Sequence, residues 1–126
     1  MNVKRIGIDL AKNVFQLHGI DRQEKVIVRK QLRRGQMHAY FKDLPPSLVG
    51  MEACATSHYW GRELTRYGHC VKLIAAQFVK PYVKSGKNDA NDAEAICEAV
   101  GRPSMRFVAI KTVEQGGMTK DLAILI

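Results

Sequence analysis

Residues 6–28, IGIDLAKNVFQLHGIDRQEKVIV, contain three β-rich runs: Ile6-Gly7-Ile8 leading into Asp9, then Val14 to His18, then Val26 to Val28. β-branched and aromatic residues in short alternating runs, bounded by polar turns, read as strands. The turns are Ala11-Lys12-Asn13 and Asp21-Arg22-Gln23-Glu24. Both are far shorter than the roughly dozen residues that a parallel crossover needs, so the three runs form an antiparallel meander.

Downstream the hydrophobic period changes. Met37, Tyr40, Phe41 and Leu44 fall on one stripe of an amphipathic helix that Pro45-Pro46 stops. A strand, Leu48 to Met51, follows and ends at Glu52. Trp60, Leu64 and Tyr67 repeat the helical spacing, with Thr56 or Ser57 as the N-cap and Gly68 where a helix end favours a left-handed residue. Val71 to Ile74 is a further strand, and residues 75–84 read as a short helix broken at Pro81. Ser85-Gly86 is an elbow, and a last helix runs from Asn88 or Asp89 to Val100, ended by Gly101-Arg102-Pro103. Met105 to Val108 reads as an additional edge strand. The order βββ-α-β-α-β-α gives an α/β fold of the RNase H-like (RuvC-like) kind, a mixed five-stranded sheet flanked by helices. A doubly wound nucleotide-binding fold would alternate strand and helix from the start and carry a Gly-x-Gly-x-x-Gly turn, which is absent.

The chain has 126 residues and a formal net charge of +8, with a pI near 9.6. One domain with its own core is expected, and the basic balance suits a partner with a phosphate backbone. Cys54, Cys70 and Cys97 lack metal-ligand spacing and read as reduced core residues. No apolar run approaches the roughly 18 residues of a membrane span, and the N-terminus lacks a signal-peptide core, so a soluble cytoplasmic protein without membrane contact is expected.

Asp9 and Glu52 each close a short apolar strand, and Asp89 and Asp92 stand one turn apart on one helix face. The row continues through Ala93, Ile96, Cys97 and Val100, a stripe suited to packing on the sheet. Taken singly, each acid also has a plain reading: a turn aspartate, a solvated strand-end glutamate, an N-cap with a neighbour that complements the helix dipole. Taken together in the sheet order above, the four converge on one cleft. Two carboxylates about 4 Å apart repel by about 1 kcal/mol in water and about 4 kcal/mol at an effective dielectric near 20, so such a cluster calls for a cation. An all-oxygen set suits Mg²⁺ or Mn²⁺ and phosphoryl transfer on a nucleic-acid backbone.

At these residues the sequence resembles the DEDD-type insertion-sequence transposases of family one hundred and ten. The resemblance rests on Ile6-Gly7-Ile8-Asp9, on Gly50-Met51-Glu52 with Cys54 and Ser57 after it, and on Lys87-Asn88-Asp89-Ala90-Asn91-Asp92-Ala93. It covers about residues 3–115 and implies that Asp9, Glu52, Asp89 and Asp92 bind Mg²⁺ and are the catalytic acids. It also implies DNA as substrate, a structured guide RNA from the element as a further partner, and a nucleophilic serine in a separate C-terminal domain. A homo-oligomer is expected as well. After Glu114-Gln115 the sequence departs from the pattern, so residues 1–113 are expected to form the RNase H-like domain and 114–126 a truncated connector or out-of-family tail. Such a fragment is not expected to recombine DNA alone.

Lys80, Tyr82, Lys84 and Lys87 precede the acidic pair, and with Phe78 they read either as a nucleic-acid contact with stacking platforms or as a solvated basic loop. Arg29, Lys30, Arg33 and Arg34 read as a solvated strand end. The four histidines are scattered, and no serine has a nucleophile-elbow context. Two other functions compete with a metal-dependent catalytic domain: a non-catalytic nucleic-acid-binding and dimerisation module, and an actin-like phosphotransferase, which shares the opening strand but would need a second Gly-rich phosphate loop.

Overall fold

The computed structural model describes residues 2–11, 13–84 and 88–114, with Asp89 described by its backbone alone. The meander is there: β1 (Arg5–Leu10), β2 (Val14–Ile20) and β3 (Val26–Arg33) are antiparallel neighbours. They are followed by α1 (Met37–Asp43), β4 (Leu48–Glu52), α2 (Ser57–Arg66), β5 (Cys70–Ile74), a short α3 (Ala76–Val79) and α4 (Asp89–Val100). The five strands form one mixed sheet in the order β3-β2-β1-β4-β5, with β4 parallel to both β1 and β5. Helices flank it, as the element order requires. Among the described residues no helix is long and apolar enough to cross a membrane.

Strand alternation divides the sheet into two unlike faces. Ile6, Ile8, Phe15, Leu17, Val49, Met51 and Leu73 bury against Met37, Phe41, Trp60 and Leu64 of α1 and α2. On the other face Ile74 packs with Val79 and with Ala95, Ile96, Ala99 and Val100 of α4. Here β1 and β4 present glycine: Gly7 and Gly50 are register partners. A Cβ at Gly7 would overlap the Ala93 carbonyl oxygen and the Cys97 amide nitrogen, so the α4 backbone rests directly on β1. A Cβ at Gly50 would stand 2.8 Å from Cβ of Val100. Arg5 fastens the far end of the helix. Its buried guanidinium donates to the Cys97 carbonyl at 2.7 Å and to Glu24 at 3.1 Å, with Glu98 at 3.9 Å.

Four local expectations change. The segment around Met105 to Val108 is not a strand: only Val108 bridges to Leu73. Met105 packs against the α4 cluster and Phe107 lies exposed beneath the Lys72 ammonium. Cys54 and Cys70 are exposed, because one lies in the loop after β4 and the other opens β5; Cys97 alone is buried. Burial pushes the Cys97 thiol up to about 11, so it stays protonated. Thr56 stands at the N-cap of α2 without a side-chain cap bond. Ser57 works instead as a loop staple, accepting from the Cys54 amide and donating to the Cys54 carbonyl, each at 2.9 Å. Gly68 does take the left-handed conformation, at φ 98°.

The glycine contacts differ in what a methyl group would strike, and that sets an order of cost. Gly7→Ala meets helix backbone that cannot step aside and should lose about 3 kcal/mol or more in urea denaturation, whereas Gly50→Ala meets the Cβ and both methyls of Val100, which shift only with the helix or with valine's restricted rotamers, and should lose about 2 kcal/mol. Equal losses at the two positions would contradict the seating of α4 on β1.

Candidate functional site

The β1–β4 register, Arg5 with Leu48 through Ile8 with Met51, carries Asp9 and Glu52 to the C-terminal ends of adjacent parallel strands. They share the face of Gly7 and Gly50, the one covered by α4, and their strands are about 4.8 Å apart. Helix α4 runs antiparallel to β1, since Ala93 and Cys97 meet Gly7 while Cys97 and Glu98 reach Arg5. Its first turn therefore lies over the end of β1 that carries Asp9. Asn88 is the N-cap, its side chain accepting from the Asn91 amide at 2.8 Å. That leaves neither Asp89 nor Asp92 needed as the cap. Asp92 is half-buried on the first turn, as are Asp9 and Glu52 on their strands; the side chain of Asp89 lies outside the described residues.

Glu52 senses its surroundings. Burial raises its carboxyl above the ordinary value, the charge of Asp92 raises it further, and Lys80 pulls it back. Two carboxylates in one electrostatic field, partly withdrawn from water, are a donor set suited to a hard cation. Among the described residues no group of three or more His, Cys, Asp or Glu side chains is close enough to hold a metal ion. Asp9 lies opposite Gln16 on β2, which is buried on the same face and was not singled out from the sequence. The hairpin register is the signal that would have found it. His18, next but one along β2, is buried and held below its ordinary value by desolvation against the pull of Glu94.

The expected nucleic-acid contacts separate. Lys80 is exposed on the turn after α3 and acts on Glu52. Tyr82 packs against the α4 cluster, with the Arg102 guanidinium 5.5 Å from its ring centre. Lys84 pairs with Glu94 at 3.1 Å. Lys87 lies outside the described residues. Of the cluster Arg29, Lys30, Arg33 and Arg34, Lys30 on β3 covers the Tyr40 ring at 4.9 Å and Arg34, just past the strand, covers Phe15 at 5.9 Å. His58 accepts a bond from the Lys111 amide at 3.1 Å. His69, wholly internal, accepts from the Ser47 amide at 3.1 Å and so donates from Nε2 to the Phe41 carbonyl at 2.7 Å.

A carboxyl whose folded pKa is raised favours the folded state when protonated and opposes it when ionised. The penalty from Glu52 is therefore absent well below 4.5, grows as the pH rises past that value, and is complete above the raised folded pKa. Without metal, Glu52→Gln should melt higher than the parent at pH 7 and no higher at pH 3; a lower melting temperature for the variant at pH 7 would contradict the electrostatic picture.

No protein-family model matches the chain. It is 64% identical over 115 residues to a protein described as a probable family 20 transposase of Pseudomonas aeruginosa, covering 91% of this chain and 34% of that protein. It is 48% identical over 118 residues to the transposase for insertion sequence element IS1328 of Yersinia enterocolitica, covering 94% of this chain and 35% of that protein. With the transposase for insertion sequence element IS1111A of Coxiella burnetii it shares 50% identity over 114 residues, 90% of this chain and 31% of that protein. The chain is thus similar along most of its length to transposases, including those of insertion-sequence elements, and spans about a third of the length of these curated relatives.

Proposed function

We propose that the chain is the RNase H-like, Mg²⁺-dependent catalytic part of a DNA transposase, with Asp9, Glu52, Asp89 and Asp92 as the metal-binding acids. The observation that carries this reading is geometric: Asp9 and Glu52 end adjoining parallel strands on the face covered by α4, whose first turn bears Asp92. The similarity to transposases supports DNA as the substrate. The donor set is all oxygen, which favours Mg²⁺ or Mn²⁺ over Zn²⁺. When bound, such an ion supplies Lewis-acid stabilisation of a phosphodiester undergoing displacement.

The residues have separable tasks. Asp9 and Glu52 stand on the rigid ends of paired strands and fix the base of the site. Asp92 and Asp89 stand on the first turn of a helix whose seat on Gly7 sets their height above the sheet. Lys80 supplies a positive charge beside Glu52, suited to meeting a phosphate. The proposed chemistry is cleavage and strand transfer in concert with a serine domain, as in the family the sequence resembles. A guide RNA and a second copy of the chain are further proposed partners that the metal site does not require.

Calorimetric titration with Mg²⁺ or Mn²⁺ should give saturable binding to the chain. Asp9→Asn and Asp92→Asn should each reduce the heat to the dilution baseline while the far-ultraviolet dichroism stays unchanged. Unaltered binding in both variants would refute the site. DNA affinity indifferent to these substitutions and to chelator would assign the chain instead to a non-catalytic binding module.

A further inference from the structure

Helix α2 and the segment that follows Val108 border a concavity beside the end of β4. Val108 bridges to Leu73, and Ile110 packs over Gly61, where a Cβ would meet its side chain at 3.0 Å. Lys111 is thereby laid against α2. Its backbone amide donates to His58 Nδ1 at 3.1 Å, and its carbonyl accepts from Arg62 Nη1 at 2.6 Å. His58 and Arg62 stand four residues apart, on one face of the helix. Together with Lys111 and the loop residues Ala53, Cys54 and Ala55 they line a cavity of about 370 Å³.

These bonds fix the groups in place without neutralising them. Because His58 Nδ1 accepts, the neutral ring carries its proton on Nε2, a donor that has no partner among the described residues. Partial burial holds this imidazole below its ordinary value, and the charges of Lys111 and Arg62 lower it further, so the neutral ring prevails at pH 7. Arg62 uses one of its five N–H donors on an uncharged carbonyl. Among the described residues neither Arg62 nor the exposed Lys111 makes an ion pair, and no carboxylate lines the cavity. Ala53, Cys54 and Ala55 follow Glu52 directly. Three residues reach at most about 11 Å, and successive phosphates of one strand are about 3.4 Å apart along the duplex axis. A strand with one phosphate at the acids can therefore bring another to the cavity.

We infer that this cavity holds a backbone phosphate of duplex DNA that flanks the phosphodiester at the acids, with His58 Nε2, the Arg62 guanidinium and the Lys111 ammonium as its donors. The inference rests on the proposed DNA-directed function. Two cations and a neutral N–H, with no acid in the lining, suit a singly charged phosphodiester. Contacts of this kind set the register of the duplex and read no base sequence. The three residues position DNA and take no part in holding metal.

Cys54 lines the cavity and is exposed, and so is Cys70, which opens β5 at the end of the sheet away from Glu52. Alkylation by iodoacetamide, read by mass at each thiol, should slow at Cys54 in proportion to the bound duplex oligodeoxynucleotide and stay unchanged at Cys70. Lys111→Gln, which leaves both backbone bonds in place, and Arg62→Gln should each weaken duplex binding about tenfold and lower the slope of log affinity against log salt by about 0.9. Calorimetric titration of either variant with Mg²⁺ should match the parent. Undiminished Cys54 reactivity in the complex, or unchanged affinity and slope in Lys111→Gln, would overturn the phosphate cavity and leave the acidic site standing. Equal protection by inorganic phosphate at the same phosphate concentration would assign the cavity to free anions and overturn it as a DNA site. Protection of Cys54 by the duplex in a chain that binds no Mg²⁺ would support the cavity and sink the metal site alone. Failure to bind any duplex would remove the DNA-directed function together with this inference.

Discussion

The backbone of α4 lies directly on β1 at Gly7, and the rest of the site depends on that contact. A helix normally stands off a sheet by the thickness of its side chains, about 10 Å between packed layers. Here one strand contributes no side chain at the crossing, so the helix is lowered onto it. The paired Gly50 extends the depression across β4, where Val100 fills it. Arg5 locks the descent by donating to the Cys97 carbonyl. Its charge is buried yet balanced by Glu24 and Glu98, a situation in which removing one partner costs far more than the pair contributes.

Lowering the helix brings Asp92 into the electrostatic field of Glu52. The protein carries this destabilising juxtaposition within an otherwise basic chain, at the strand ends, where side chains are only half-buried. Each of these carboxylates raises the cost of ionising the other, which an apolar pair at the same positions would not do. The two faces of the sheet are correspondingly unlike. The face against α1 and α2 is a continuous apolar core. The face against α4 mixes Gly7, Gln16, His18 and the acids with a smaller apolar cluster.

Much of the architecture was legible because it is local. Short turns between β-rich runs permit only a meander, and the stripe Ala93, Ile96, Cys97 and Val100 marks the buried side of α4, all of it internal as the spacing implied. Gly68 and Asn88 punctuate their helices for conformational reasons that apply anywhere. What failed was equally instructive. Met105 to Val108 has strand composition, but composition does not supply a free edge with matching register, and only Val108 finds one. The cysteines looked internal by residue type, whereas exposure followed position in the sheet for Cys70 and in a loop for Cys54.

The order of elements, the placement of Asp9 and Glu52 at strand ends and the spacing of Asp89 and Asp92 along one helix face could be read from the amino acids alone. Those follow from hydrophobic period and turn chemistry, which act over a few neighbouring residues. Which side chains meet emerges with the packed fold: Gly7 and Gly50 pair to seat α4, and Lys84 pairs with Glu94. Contacts between residues distant in the chain depend on register and on the height at which layers pack, and neither is encoded in any single stretch.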